Sequence, residues 1–262
     1  MIKIGFVQTN PIFGKVDENN KRIEELVSKT KADFLVLTEL ANTGYNFKDK
    51  DELRELAEEI PHGKTTQELI RMAKENNVFL VGSLAEVDGS DLFDSSVLVG
   101  PDGFVGKYRK IHLYGNEKKM FKPGDLGFNV FETPIGKIGL LICFDYMFPE
   151  ATRILALKGA DIVCYPMNLV SPPPKVMTAV RTRALENGVF TIAVNRTGEE
   201  RGHVYRGGSE IVDPRMKVLA TAGNKEEVKV VEVDITRARD KMYSENNDLI
   251  KDRRPEFYKK IV

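Results

Sequence analysis

The chain has 262 residues, with 39 Lys+Arg against 39 Asp+Glu and a formal net charge of zero. That balance excludes a strong electrostatic pull toward nucleic acid or an anionic membrane. A hydrophobic fraction of 42% is enough for a packed core and argues against intrinsic disorder.

The opening segment KIGFVQT reads as a buried strand that ends at the Asn10-Pro11 turn. Asp17 precedes a helix with Ile23, Leu26 and Val27 on one face, and ADFLVLTE is a second buried strand. After a loop broken by Gly44, DELRELAEEI reads as a helix stopped by Pro61 and Gly63. Thr65 and Glu68 form a capping-box pattern before the helix TQELIRMAKEN. The strands VFLVGSLAE, SSVLVG and FVGKYRKIHL follow, the last two joined by the turn Pro101-Asp102-Gly103. NVFET and KIGLLIC make another pair. A helix starts near Pro149, DIVCYP is a strand, and Pro172 to Pro174 precede a helix from about Val176 to Asn187. VFTIAVN, GGSEIVDP, MKVLATA and VKVVEVD complete the strands, and the tail from Ile235 reads as a helix followed by the charged segment KDRRPEFY. Strand–helix–strand units mixed with hairpins predict a layered α/β sandwich, and no linker or repeat divides residues 1–262 into more than one domain.

Two cysteines, Cys143 and Cys164, do not make a disulfide framework, which favours a reducing compartment. The N-terminus lacks a secretory pattern, and no stretch approaches the roughly 18 apolar residues of a spanning helix. These features predict a soluble, cytoplasmic protein.

Three residues stand where chemistry is commonly placed. Cys143 ends the strand KIGLLIC just before a helix, a turn that exposes a side chain above a sheet and whose amides favour a thiolate. Glu39 ends ADFLVLTE at a sheet rim, where burial raises a carboxyl's pKa and suits it to act as a base. Lys110 lies in GKYRKIHL, with Arg109 on the opposite face if the segment is extended, and a lysine among hydrophobes can hold an oxyanion. Taken singly, each has a plainer reading: a core cysteine, a surface glutamate, an edge-strand lysine. Cys164, mid-strand, keeps the plain one. His62, His112 and His203 show no metal-ligand spacing, and His112 reads as structural.

Together, VLTELANTGYNF, GKYRKIHL and ICFDYMFPEATR resemble, in order and spacing, the three catalytic segments of the nitrilase superfamily, the carbon–nitrogen hydrolases. FKPGDLGFNVF, ALKGADIV, RALENGVF and YRGGSEIVDP extend the resemblance from about Ile2 to Tyr258. It implies a four-layer αββα sandwich that dimerises into eight layers. The helices after Pro149 and Pro174 would form the interface, and the C-terminal helix and tail, 236–262, would reach across the partner.

The resemblance also implies roles: Cys143 as nucleophile, Glu39 as base, Lys110 and the Phe144 backbone N–H as oxyanion donors, and Glu117 positioning the lysine and substrate. No metal or cofactor is implied. Tyr45, Phe144, Tyr146, Met167 and Asn168 are candidate pocket walls. Arg183 and Glu186 read as a structural ion pair on a helix ahead of a substrate contact. The expected reaction is hydrolysis of small amides through a cysteine thioester. Small nitriles or N-carbamoyl compounds are alternative substrates, and a non-catalytic binding role is the alternative of another class. One departure is Thr38, where the family usually has proline before the glutamate.

Overall fold

The computed structural model describes residues 1–170 and 173–259. Two six-stranded mixed sheets form its centre. The first takes β1 (Ile2–Gln8), β2 (Phe34–Leu37), β3 (Phe79–Asp88), β4 (Asp91–Gly100) and β5 (Gly103–Arg109) in chain order. The second contains β6 (Val130–Thr133), β7 (Gly136–Leu140), β8 (Ile162–Met167) and β9 (Phe190–Asn195). Between the two halves lies a one-turn helix, α4 (Glu117–Met120). A separate hairpin, β10 (Thr197–Glu200) and β11 (His203–Arg206), precedes β12 (Glu210–Val212) and β13 (Val218–Thr221), which finish the second sheet. The chain then returns through β14 (Glu227–Val233) to pair antiparallel with β1.

The two sheets share a pattern. β1, β2 and β3 are parallel, as are β7, β8 and β9, with antiparallel strands at the margins. Period-two alternation decides what each face covers. Ile4, Phe6, Phe34 and Val36 point inward and meet Ile138, Leu140, Ile162 and Ile192 of the second sheet. Val7, Leu35 and Leu37 point outward onto Ile23 and Val27 of α1 (Val16–Ser28) and Leu69, Met72 and Ala73 of α3 (Lys64–Asn76). The other outer face is covered by α5 (Pro149–Leu157) and α6 (Pro173–Asn187) through Leu155, Met177 and Val180. The result is the four-layer αββα order predicted from sequence. Each fully buried aliphatic side chain in these layers is worth about 1.5–3 kcal/mol.

Three local expectations fail. The helix expected to run to Pro61 stops early: α2 spans Lys50–Leu56, Ala57 is extended, and Glu58 forms a parallel bridge with Glu86. The Thr65–Glu68 capping box does not form. Gly63 takes the cap position of α3, and the carboxylate of Glu58 accepts from the Thr65 amide at 2.6 Å and from its hydroxyl, so an acceptor from outside the helix outcompetes Glu68. The helix expected from Ile235 is one turn of 3-10 helix, Ile235–Ala238, followed by the short strands β15 (Met242–Ser244) and β16 (Asn247–Asp248). Asp234, Asp240 and Asp248 accept from nearby backbone amides and divert them from helical pairing. Residues 171–172, which include the first of the three prolines expected to interrupt the chain, and residues 260–262 lie outside the described residues. No helix among the described residues is long and apolar enough to cross a membrane.

Candidate active site

The parallel strands converge at one rim, and the chemistry-bearing residues follow their C-terminal ends. Glu39 lies two residues past β2, Lys110 directly past β5, Cys143 past β7 and Asn168 directly past β8. β5 runs in the same direction as β3, because each is antiparallel to β4. The two sheets are tied at this rim by Asn168 Nδ2, which donates to the Glu39 carbonyl at 2.9 Å.

Lys110 is the centre. Its Nζ lies 2.6 Å from Glu39 Oε1, 2.8 Å from Glu117 Oε1 and 3.3 Å from Asp94 Oδ2, all buried. The extended backbone sends the preceding Arg109 to the opposite face, as expected, where it meets Glu86. Glu117, at the start of α4, is held on one oxygen by the Tyr45 hydroxyl at 2.5 Å and on the other by the Tyr114 amide at 2.7 Å. Oxygens of Glu39, Asp94 and Glu117 lie within 4.8 Å of one another. Three such carboxylates are hard ligands of the kind that hold a divalent cation. Here the Lys110 ammonium stands between them and supplies the positive charge.

One ammonium cannot neutralise three buried carboxylates. Burial pushes Glu39 well above its ordinary range, Lys110 opposes that shift, and the charges of Asp94 and Glu117 reinforce it. Asp94 is raised as well, chiefly by burial. Glu39 Oε2 has no hydrogen-bond donor among the described residues.

Cys143 begins the 3-10 turn Cys143–Met147 and adopts φ +39°, a left-handed conformation that is strained for a residue with a side chain. Asp145 braces this turn by accepting from the Ile142 amide at 2.9 Å and the Tyr108 hydroxyl at 2.8 Å, and by contacting His112 Nδ1 at 2.7 Å. The His112 ring stacks on Phe148 at 3.6 Å, in the structural role expected of it. Burial pushes the Cys143 thiol well up, the Glu39 charge adds to this, and Lys110 opposes it. Burial is the largest influence on the thiol and disfavours its charged form. It therefore works against the thiolate that the turn's amides are expected to favour. As the second amide of the turn, the Phe144 N–H lies too early to have an acceptor within it.

Above Cys143 opens a cavity of about 650 Å³. Cys143 and Glu117 reach its surface, with Tyr45, Phe144, Tyr146 and Asn168 among its walls, as the sequence suggested. Met167 does not line it. Central strand β8 is covered on both faces, so Met167 is wholly buried in the core and only the next residue, Asn168, emerges at the rim. Arg183 pairs with Glu186 at 3.0 Å, as read, and also donates to the Tyr146 carbonyl at 3.2 Å.

Sequence reasoning missed Asp94, although a carboxylate directly after Leu92 and Phe93, three residues into β4, was a visible signal. It also missed Tyr114, Arg201 and His203 at the cavity wall, which loops bring in from elsewhere in the chain.

A layered α/β sandwich with a buried cysteine, lysine and carboxylates under one small cleft defines a class of enzyme. The profile of the family described as carbon-nitrogen hydrolase matches residues 3–242. A nitrilase of Pyrococcus abyssi is 48% identical, covering 98% of this chain and 99% of its own. An (R)-stereoselective amidase of Pseudomonas sp. is 39% identical over 85% of this chain and 80% of its own. A carbon–nitrogen hydrolase from Helicobacter pylori superposes with a TM-score of 0.90 at 29% identity, covering 99% of this chain and 98% of that one. The chain belongs to the carbon–nitrogen hydrolases of the nitrilase superfamily.

Proposed function

We propose that this carbon–nitrogen hydrolase cleaves small amides through a thioester on Cys143. The observation that carries the reading is the Lys110 ammonium, gripped by Glu39, Glu117 and Asp94 beneath the cavity that Cys143 opens into. Because burial disfavours the Cys143 thiolate, attack needs a base, and the raised carboxyl of Glu39, whose Oε2 has no donor among the described residues, suits that task.

Glu39 takes the thiol proton as sulfur bonds to the amide carbon. Negative charge moves to the amide oxygen, where Lys110 and the Phe144 N–H receive it. Glu39 passes its proton to the departing nitrogen, the C–N bond breaks, and ammonia or an amine leaves behind a thioester. Glu39 then takes a proton from water as its oxygen bonds to the thioester carbon, and returns that proton to the sulfur as the C–S bond breaks, which releases the carboxylic acid and restores the thiol and the carboxylate.

The test is a substrate panel read out by ammonia release, with intact-mass measurement of the acyl-enzyme. Cys143→Ala should stay folded, lose acid release and show no adduct. Acid release by that variant would overturn the mechanism. The second reading, a nitrilase, is favoured by the nitrilase at 48% identity over nearly the whole chain. Matched amide and nitrile substrates separate the two, and faster turnover of the nitrile would replace the amidase reading.

The reading extends to assembly as a homodimer through α5, α6 and the tail. Ile154 and Leu157 are exposed on α5, and Phe257 and Tyr258 are exposed in the tail. Sedimentation of Ile154→Glu/Leu157→Glu beside the parent chain tests this. An unchanged monomeric mass in both would refute it.

A further inference from the structure

The loop that carries Tyr45 is held by a buried charge pair that takes no part in the chemistry above. Glu200, at the end of β10, is 5% exposed, and its Oε1 accepts from two successive amides, those of Tyr45 at 2.9 Å and Asn46 at 2.7 Å. Its Oε2 accepts from Arg196 Nη1 at 2.6 Å. Arg196 is wholly buried, lies 4.3 Å over the Tyr205 ring, and donates through Nη2 to the Pro11 carbonyl at 2.9 Å. Asn46 Nδ2 returns the contact by donating to the Tyr205 hydroxyl at 2.7 Å. Gly44 makes room for the carboxylate: it has φ +82°, and a Cβ there would sit 2.4 Å from Glu200 Oε2. Charge-assisted bonds of this kind are shorter and stronger than neutral ones, so the loop is pinned at its backbone.

From the pinned loop, the Tyr45 hydroxyl reaches Glu117 Oε1, the same oxygen that holds Lys110 Nζ at 2.8 Å. We propose that Glu200 is a positioning residue for the hydrolysis, acting through the Tyr45 amide and hydroxyl to fix Glu117 and hence the Lys110 ammonium. It touches neither the cavity nor the lysine. The proposal rests on the reading of Lys110 as the oxyanion donor. Freed from Glu200, the loop drifts, Tyr45 leaves Glu117, and the ammonium loses one of the contacts that aim it. A misplacement of about 1 Å at a reacting centre costs about a hundredfold. Because the affected contact strengthens in the transition state, the loss falls on kcat more than on KM.

The experiment compares Glu200→Gln, Glu200→Asp, Tyr45→Phe and the double variant Glu200→Gln/Tyr45→Phe in amide turnover, with thermal unfolding recorded for each. Glu200→Asp keeps the charge beside Arg196 but withdraws the oxygens by one methylene, so it guards against simple unfolding. Glu200→Gln is expected to lower kcat about tenfold or more, with KM within about threefold, and Glu200→Asp to fall between it and the parent. In the Tyr45→Phe background, Glu200→Gln should add less than about a twofold loss, because the path is already cut. Independent, multiplying losses would overturn the proposal, as would an unchanged kcat in folded Glu200→Gln or Glu200→Asp. Failure of the underlying reading shows separately, as acid release by Cys143→Ala.

Discussion

Arg109 and Lys110 are neighbours in sequence, yet each centres a buried charge cluster on opposite faces of the same strand end. On one side, Glu86 is saturated. Its oxygens accept from Arg109 Nε at 3.0 Å and Nη2 at 2.6 Å, from Lys107, and from the Ser95 hydroxyl at 2.5 Å. Burial alone would raise its pKa, but the Arg109, Lys107 and Ser95 contacts overcome that and hold it below the ordinary value of 4.5. Arg109 also pairs with Asp88 and Asp125 and lies 3.8 Å over the Phe93 ring. On the other side, Lys110 is shared by three carboxylates, Glu39 Oε2 has no donor among the described residues, and the Glu39 carboxyl is raised. Burial acts on both glutamates, and the surrounding donors decide the sign. The saturated cluster suits stability. The unsaturated one, in the mechanism proposed above, keeps a carboxyl ready to move a proton.

Replacing each glutamate by its neutral isostere should break this contrast most sharply. Glu39→Gln should lower amide turnover by about a hundredfold or more, the low end of what a general acid–base group contributes. Its stability should fall by less than that of Glu86→Gln, because burial already disfavours the Glu39 carboxylate. Glu86→Gln should do the reverse: about 3 kcal/mol of stability lost in urea unfolding, with kcat of the folded enzyme retained. The pH dependences also oppose. Glu86, lowered in the folded state, stabilises above its unfolded value, and that contribution disappears as pH falls through the folded one, so Glu86→Gln should flatten the acid limb of stability. Glu39, raised in the folded state, contributes fully below its unfolded value and loses that contribution as pH rises through the folded one. Glu39→Gln should therefore gain on the parent as pH rises. A large stability loss in Glu39→Gln, or lost turnover in folded Glu86→Gln, would erase the distinction.

A smaller effect sharpens the same comparison. The Asp94 charge helps to raise Glu39. Asp94→Asn should move the acid limb of kcat/KM to lower pH, because Glu39 then ionises more readily. An unmoved limb, or one displaced upward, would separate Asp94 from the titration. Asp94 also marks the limit of what is legible in the chain. Glu39, Lys110 and Cys143 each follow the end of an apolar strand and sit in recognisable segments. Asp94 lies inside β4 and acquires its meaning only when β5 brings Lys110 across from it, with the Lys110 amide on the Asp94 carbonyl at 2.8 Å. Glu200 is further from sight, because its partners Tyr45 and Asn46 are more than 150 residues away. Met167 misleads for the opposite reason: adjacency to Asn168 suggests a wall, but strand burial on both faces removes it. The layered α/β sandwich is legible because apolar strands alternate with helix patterns along the chain, and its four-layer αββα order is what the family resemblance implies. The tail is not, since its apolar spacing mimics a helix that its Asp side chains dismantle locally.

The smallest expected effect concerns Thr38, next to the proposed base. Its hydroxyl, wholly buried, meets the Thr9 hydroxyl at 2.7 Å and so ties the approach to Glu39 back to the end of β1. The pair occupies a position where the family usually relies on a proline ring to restrict the backbone. Thr38→Val keeps the shape and the branched side chain but leaves the Thr9 hydroxyl without its partner, which should cost about 1–3 kcal/mol. Thr9→Val/Thr38→Val removes both polar groups at once and should recover most of that loss, since replacing a complete buried pair with apolar groups of the same shape is close to neutral. Turnover should stay near the parent value in both, because Glu39 keeps its bond to Lys110 and its carbonyl keeps Asn168. If the double variant is instead less stable than Thr38→Val and loses turnover, the hydroxyl pair is itself holding Glu39 in place.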